Sequence, residues 1–465
     1  MAMIESISGI RGIYGKDLTD SEGVKYAWAY YDFIKNKAKK INPTIILGMD
    51  TRPSGVKLSD AIMGVLDCSF IDVGIAPTPA IEFAVRHFDA DGGIIITASH
   101  NEPYWNGFKF LSNDGSILDE KSASFLLINK KRLKNFHKIH DRRILEKNKE
   151  TISKYAEFIL GVVGYKNVEG IRSSRQKIVL DPNGGAGIIA KKILEQCGVD
   201  VVAVNAMIGE FNRAIEPTED SLFYLKSIID ENNADFAAGF DCDADRLEIL
   251  MKNGQLISGN YILALVIDEL LSSSNNPSRE VVVVNDATSI VVRDVVQRYG
   301  ARLREVEVGE VNVVKEMEKY NAAVGGEGSS GGVIVPPSKC RDGILTLLLI
   351  LSIIAKKQKK LAEIVNELPK YYTLRRKMEF DASKHNSIKK YLKDYYLKKG
   401  FELKETGGIK GALKIITGGN SFLWFRASRT EPSIFRIVSD SDKKEEAEKL
   451  IEEAVNIFEK ANDKN

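Results

Sequence analysis

Residues 234–246 read Ala-Asp-Phe-Ala-Ala-Gly-Phe-Asp-Cys-Asp-Ala-Asp-Arg, and this stretch decides the reading of the chain. Ala234–Phe240 is a short apolar run, which predicts a buried strand. It passes without a break into Asp241-Cys-Asp243-Ala-Asp245-Arg246. Apolar strand followed by polar loop is the grammar of an α/β sheet, in which function collects at the carboxyl ends of strands. The grammar repeats in both directions. Thr44–Leu47 and Gly93–Ile96 are short apolar runs that end in polar loops, and residues 21–40 carry Val24, Ala27, Trp28, Tyr31 and Ile34 at helical spacing. Lys177–Leu180 runs into Asp-Pro-Asn-Gly-Gly-Ala-Gly, Glu280–Val284 into Asn-Asp-Ala, and Ala322–Val324 into Gly-Gly-Glu-Gly-Ser-Ser-Gly-Gly. Three such blocks predict three similar α/β domains.

Past Pro369 the texture changes. Strand-like stretches at Lys410–Ile416 and Ser421–Phe425 precede a last helix with Ala447, Leu450, Ile451, Ala454 and Phe458 on one face. This predicts a smaller α+β domain at the C-terminus. The boundaries read as 1–150, 151–250, 251–368 and 369–465. A chain of 465 residues is too long for one ordinary core and accommodates four such units. The charge-rich segment 127–150, with Leu-Ile-Asn-Lys-Lys-Arg-Leu-Lys-Asn-Phe-His-Lys-Ile-His-Asp-Arg-Arg, reads as a solvated arm or helix, since no nucleic-acid-binding signature accompanies it.

The bulk numbers exclude several classes. Hydrophobic residues at 44% and charged residues at 28% are ordinary for a globular protein. A net charge of +2 gives no reason to expect nucleic acid or an acidic membrane as partner. Four scattered cysteines form neither a CxxC pair nor a disulfide scaffold. The longest apolar run, Ile344–Ala355, is too short to span a bilayer and reads as a buried helix. The start, Met-Ala-Met-Ile-Glu-Ser-Ile-Ser-Gly, lacks the features of a secretory signal. The expectation is a cytoplasmic protein, monomer or homodimer, acting on small molecules.

Four loops carry the chemistry. In Asp241-Cys242-Asp243-Ala244-Asp245, three carboxylates at alternate positions repel one another unless a cation sits among them. A few oxygen ligands with room for a phosphate oxygen and water suit Mg²⁺. Rival readings are an acidic turn, a calcium loop and a DxD phosphatase nucleophile, although a calcium loop would need Gly at its sixth position. Cys242 reads as a side chain turned away from the carboxylates. Thr97-Ala-Ser99-His100-Asn101 ends a strand, with Lys109 downstream. Ser99 is either a nucleophile or a helix cap, and no Gly-x-Ser-x-Gly elbow surrounds it. Gly325-Gly-Glu327-Gly-Ser329-Ser330-Gly-Gly332 combines close backbone approach with sugar-binding side chains, or is a flexible turn. Arg426-Ala-Ser428-Arg429-Thr430-Glu431-Pro432 has the chemistry of a phosphate clamp, or is a solvated basic turn.

Taken in order, the four loops resemble those of the α-D-phosphohexomutase family. Smaller matches lie between them: Ser-Gly-Ile-Arg-Gly at 8–12, Asp-Thr-Arg-Pro-Ser-Gly at 50–55, Gly-Ile-Ala-Pro-Thr-Pro-Ala at 74–80, Glu-Pro-Thr-Glu-Asp at 216–220 and Arg-Asp-Gly at 341–343. The resemblance implies three α/β domains and a smaller C-terminal domain around a central cleft, with one loop from each. It implies that Ser99 carries a phosphoryl group and that Asp241, Asp243 and Asp245 hold Mg²⁺ together with an oxygen of that phosphoserine. Glu327 with Ser329 or Ser330 would bind sugar hydroxyls. Arg426, Ser428 and Thr430 would hold the idle phosphate, with Arg429 adding charge. Arg246, Lys109 and Arg11 would surround the transferring group. Lys109 is the candidate for moving the hydroxyl proton, and His100 orients the loop or shuttles protons. The implied reaction interconverts hexose 1-phosphates and 6-phosphates of glucose or mannose through a hexose 1,6-bisphosphate. A phosphoglucosamine mutase, a Mg²⁺-dependent phosphatase and a non-catalytic sugar-phosphate-binding protein on a mutase scaffold are the alternatives. The family loop commonly has His after the serine, where Gly331 and Gly332 stand here.

Overall fold

The computed structural model describes residues 3–6, 9–130, 143–408, 410–428, 431 and 433–463. Residues 131–142 of the charge-rich arm read at 127–150, together with Ser8, Arg429, Thr430 and Pro432, lie outside the described residues. The chain forms two compact units, Met1–Gly259 with Ser330–Ala362, and Asn260–Ser329 with Glu363–Asn465.

The first unit contains two sheets. One runs Ile4–Ser6, Gly9–Ile13, Trp105–Leu111, Gly92–Ile96, Thr44–Met49, Ser69–Ile75, Arg143–Glu146 in spatial order. Its Thr44–Met49, Ser69–Ile75, Gly92–Ile96 and Arg143–Glu146 strands are parallel, whereas Trp105–Leu111 and Gly9–Ile13 add antiparallel at one side. The register sets Lys109 opposite Ile95 and Arg11 opposite Gly107. Gly107 is required there, because a Cβ would lie 1.9 Å from the Ile10 carbonyl oxygen. The helix expected at 21–40 is Asp20–Ala38, capped by Thr19, whose side chain accepts from the Glu22 N–H. Its buried residues Tyr26, Ala27, Tyr30 and Ile34 join the sheet core around Ile45, Leu47 and Ile94.

The second sheet has the order Leu256–Ile257, Leu247–Met251, Phe236–Phe240, Lys177–Asp181, Asp200–Ala203. Phe236–Phe240 pairs parallel with Lys177–Asp181 and antiparallel with Leu247–Met251. The acidic loop is the tight connection between Phe236–Phe240 and Leu247–Met251. The apolar run read as a buried helix is Gly343–Lys357, buried from Gly343 through Ile353.

In the second unit, Val281–Asn285 pairs in parallel with Arg302–Val306 and Val324–Gly326. The expected strand Ala322–Val324 is displaced: Val324 and the first two loop glycines form it. Gly325 pairs with Val283, and a Cβ on it would lie 2.3 Å from Met317 Sδ, so this glycine serves packing and not loop freedom. Tyr372–Glu379, Ile434–Ser441, Ser421–Ala427, Leu413–Gly418 and Glu402–Glu405 make an antiparallel sheet in that order. Helices His385–Lys398 and Lys444–Asp463 share a core with it through Leu392, Tyr396, Ile451 and Phe458. Among the described residues, no helix is long and apolar enough to cross a membrane.

Candidate active site

Two strand ends of the first unit converge. Gly92–Ile96 ends in Thr97-Ala98-Ser99, and Phe236–Phe240 ends in Asp241-Cys242-Asp243-Ala244-Asp245. Ser99 Oγ donates to Asp241 Oδ2 at 3.3 Å. Ser99 has φ of +50°, in the left-handed region, a conformation that costs a non-glycine residue about 1–2 kcal/mol. The surroundings impose it. The Ser99 N–H donates to Thr97 Oγ1 at 2.8 Å, and Thr97 Oγ1 donates to Asp50 Oδ2 at 2.6 Å. The fully buried Arg52 pairs with Asp50 and donates to the carbonyls of Ser99 and Asn101. Ala244 also lies left-handed, at φ +53°, which turns the acidic loop back on itself.

Asp241, Asp243 and Asp245 are all buried, and one oxygen from each lies within 4.8 Å of the others. Among the described residues, Asp243 Oδ1 and Asp245 Oδ1 have no hydrogen-bond partner. Three hard carboxylate oxygens, two of them unsatisfied in a buried setting, fit a divalent cation such as Mg²⁺. Burial, then the charges of Asp245 and Asp243, pushes the Asp241 carboxyl well above the usual carboxylate range. Burial acts the same way on Asp245, but Lys109, then Arg341 and Arg246, outweigh it and hold that carboxyl below the usual range.

Lys109 Nζ donates to Asp243 Oδ2 at 2.9 Å and to Asp245 Oδ2 at 3.0 Å. The Arg246 N–H donates to Asp241 Oδ1 at 3.2 Å, and its guanidinium pairs with Glu216. Arg11 Nη1 donates to Asn101 Oδ1 at 2.8 Å. Burial and the neighbouring Arg246 bring the Arg11 guanidinium down to about 10, against the pull of Asp243 and Asp245, so it stays charged at neutral pH. His100 is half-buried beside Ser99. Cys242 turns away from the carboxylates toward Thr51 Oγ1, 3.5 Å off, and burial pushes its thiol pKa up. Ser330 belongs to this unit too: Arg341 Nη1 donates to its Oγ at 3.2 Å, while Arg341 Nη2 lies 3.5 Å from Asp245 Oδ2.

In the second unit, Glu327 Oε1 accepts from Asn285 Nδ2 at 3.0 Å and from the Gly309 N–H at 2.9 Å. Arg426 Nη2 donates to Glu307 Oε1 at 2.9 Å. The segment 307–309 therefore links Glu327 to Arg426, and nothing in its sequence pattern marks it. Ser428 Oγ accepts from the Glu431 N–H at 3.1 Å, closing the turn after Ser421–Ala427. Ser329 is exposed. Sequence reading missed Thr97, Asp50, Arg52, Thr78 and Arg341 as site residues, although all five lie in short stretches it had singled out.

Three family descriptions match the chain: "Phosphoglucomutase/phosphomannomutase, alpha/beta/alpha domain I" at residues 4–127, "domain II" at 153–254 and "domain III" at 258–372. A phosphoglucomutase/phosphomannomutase of Thermococcus kodakarensis is 36% identical over 460 residues, which cover 97% of this chain and 98% of that one. The chain belongs to the phosphoglucomutase/phosphomannomutase family. A probable phosphoglucosamine mutase of Pyrococcus horikoshii is 29% identical, over 97% of this chain and 96% of its own. Among solved structures, a putative phosphomannomutase from Thermus thermophilus shares the mutase fold with TM-score 0.82 and 24% identity, over 99% of each chain.

Proposed function

We propose that this family member is a Mg²⁺-dependent phosphohexomutase that interconverts hexose 1-phosphates and 6-phosphates, carrying the phosphoryl group on Ser99. One observation supports this above the others: a buried serine hydroxyl, locked in a left-handed turn, bonds to the first of three buried carboxylates, and the other two each keep one oxygen without a hydrogen bond among the described residues. A phosphatase or a binding protein has no need to hold a serine there. Each of the segments 1–150, 151–250, 251–368 and 369–465 contributes one loop to the reaction.

Phosphoryl transfer demands positioning and charge neutralisation more than covalent help. Asp241, Asp243 and Asp245 would hold Mg²⁺, which when bound would supply Lewis-acid polarisation of the transferring group. Arg11, Lys109 and Arg246 bring positive charge to the same place. In the first half-reaction the bond from Ser99 Oγ to phosphorus breaks and a sugar oxygen takes the phosphoryl group, giving a hexose 1,6-bisphosphate. Lys109, an ammonium, gives a proton to the departing Ser99 Oγ and takes the proton of the sugar hydroxyl in exchange, with His100 orienting the loop. The bisphosphate turns round, and Ser99 Oγ takes the phosphoryl group that the sugar brought in: that sugar oxygen–phosphorus bond breaks, the freed sugar oxygen keeps a proton, and the isomer is left. Glu327, Ser329 and Ser330 bind sugar hydroxyls. Arg426, Ser428, Arg429 and Thr430 grip whichever phosphate is idle.

Glucose and mannose phosphates are the first substrates to test. Relatives named phosphoglucosamine mutase make glucosamine phosphate the second reading. The test is a coupled assay on a panel of hexose 1-phosphates with Mg²⁺ and a trace of hexose 1,6-bisphosphate. Isomerised sugar phosphate without release of inorganic phosphate is expected. Purified protein should contain a form heavier by about 80 Da, the mass of an added phosphoryl group, on the peptide around Ser99. Near-normal mutase activity in Ser99→Ala would refute the assignment.

A further inference from the structure

Thr78, in the Gly74–Ala80 stretch, has no part in the assignments above, yet it is fully buried against the acidic loop. It opens the helix Thr78–His87, and its N–H donates to the Asp243 carbonyl oxygen at 2.9 Å. Its Oγ1 donates to Asp243 Oδ2 at 2.7 Å and accepts from Lys109 Nζ at 3.4 Å. The direction of both bonds follows from chemistry. An ionised carboxylate only accepts, an ammonium only donates, and a hydroxyl has a single proton to give. Lys109 donates to the same Asp243 Oδ2 and to Asp245 Oδ2. Asp243 Oδ2 thus receives two donors while Oδ1 receives none.

We propose that Thr78 is a positioning residue for the metal site, fixing Asp243 so that its Oδ1 faces the cation as a single-oxygen ligand. By accepting from Lys109 as well, it keeps the ammonium spread across Asp243 and Asp245. This inference rests on the reading of the triad as a Mg²⁺ site. Two anchors, one on the Asp243 carbonyl and one on its carboxylate, leave the side chain little freedom to rotate. Without the hydroxyl, Lys109 alone holds Oδ2, and the carboxylate can turn both oxygens inward or follow the lysine. Partners that orient metal ligands in this way typically change metal affinity by about 10–100-fold when removed.

The experiment measures Mn²⁺ binding by calorimetry or electron paramagnetic resonance on the full chain, for wild type, Thr78→Val, Thr78→Ala and Thr78→Ser. Mutase rates are followed across a range of Mg²⁺ concentrations. Valine keeps the shape and removes the hydroxyl, and alanine serves if valine fails to fold. The expected result is a Mn²⁺ dissociation constant raised about tenfold in Val or Ala. Activity at limiting Mg²⁺ should fall in parallel, recover at saturating Mg²⁺, and be near wild type in Ser. A general packing defect would not be rescued by metal. Wild-type Mn²⁺ affinity in folded Val or Ala protein overturns the proposal, as does lost activity that excess Mg²⁺ leaves unchanged. If wild-type protein binds no Mn²⁺ at all, the metal reading itself falls, an outcome distinct from a defect confined to Thr78.

Discussion

Arg52 has almost no exposed surface, and its donors hold one carboxylate and two carbonyls around Ser99. Lysine at that position would keep the charge but offer three donors on one nitrogen instead of five in a planar fork. We therefore expect Arg52→Lys to leave Mn²⁺ affinity near wild type while slowing phosphoryl transfer to Ser99. A displacement of the reacting oxygen by about 1 Å can cost on the order of 10²-fold. Following the 80 Da mass gain on Ser99 over time, with a hexose 1,6-bisphosphate as donor, reads that rate. An unchanged rate would show that the left-handed turn holds without the arginine. The short stretch containing Asp50 and Arg52 is visible in the sequence, but its role is not. Arginine in a polar turn reads as solvated until the structure shows it enclosed. The three aspartates differ, because carboxylates at alternate positions after an apolar strand favour a cation site even in sequence, whereas Ser99 alone reads as a nucleophile or a helix cap.

At the scale of elements, the helix Gly343–Lys357 shows how a cap can cost charge. Asp342 accepts from the Leu345 N–H at 2.9 Å and from Tyr155 Oη at 2.9 Å, fully buried. Burial pushes its carboxyl up to about 6, with the bonds from Leu345 and Tyr155 pulling the other way. A carboxyl raised in the folded state binds its proton more tightly there than when unfolded. Stability from this group is therefore greatest below the unfolded value near 4 and is lost as pH rises through about 6. The loss above pH 6 is about 3 kcal/mol for a shift of this size. Asp342→Asn keeps an acceptor for Leu345 without the charge. Its Tm should exceed that of wild type at pH 7.5, and the gap should shrink toward pH 5. A gap that is constant with pH would contradict the assignment. Gly107→Ala is expected to do the reverse at every pH. Its Cβ would collide with the Ile10 carbonyl and part the strands that bear Arg11 and Lys109. A collapse of soluble yield or Tm measures it. The helix at 344–355 was legible from its apolar run, whereas the carboxylate beneath its first turn needed Tyr155, distant in sequence, to be brought alongside.

At the scale of the whole molecule, a cation held by the acidic triad, as proposed, would make stability depend on metal. A ligand that binds only the folded state stabilises it by about 2.7 kcal/mol at a hundredfold excess over its dissociation constant. Protein treated with EDTA should therefore melt at a lower temperature than protein in millimolar Mg²⁺. In Asp241→Asn that difference should largely vanish, because one of three ligand charges is gone, and mutase activity should vanish with it. Retention of a full Mg²⁺ shift by this variant would place the cation elsewhere. Arg426→Ala should weaken binding of 1-phosphates and 6-phosphates alike if, as proposed, one clamp serves whichever phosphate is idle. Calorimetric titration with each isomer checks this, and a loss confined to one isomer would separate the two binding modes.

By itself the sequence determined the α/β blocks, a smaller C-terminal α+β domain and the loops at the strand ends. These depend on local patterns: apolar runs of strand length, helical spacing, and polar residues placed just after a strand. It also determined which loop carries the carboxylates and which the serine, because the demands of metal and phosphoryl chemistry are written in residue type and short spacing. Only the tertiary structure decided what surrounds them. The pairing of Thr78 with Asp243, of Arg52 with the Ser99 carbonyl and of Glu307 with Arg426 joins residues 165, 47 and 119 positions apart. Contacts across such separations are set by sheet order and register, and a polar side chain looks the same in sequence whether it ends in water or against a buried carboxylate.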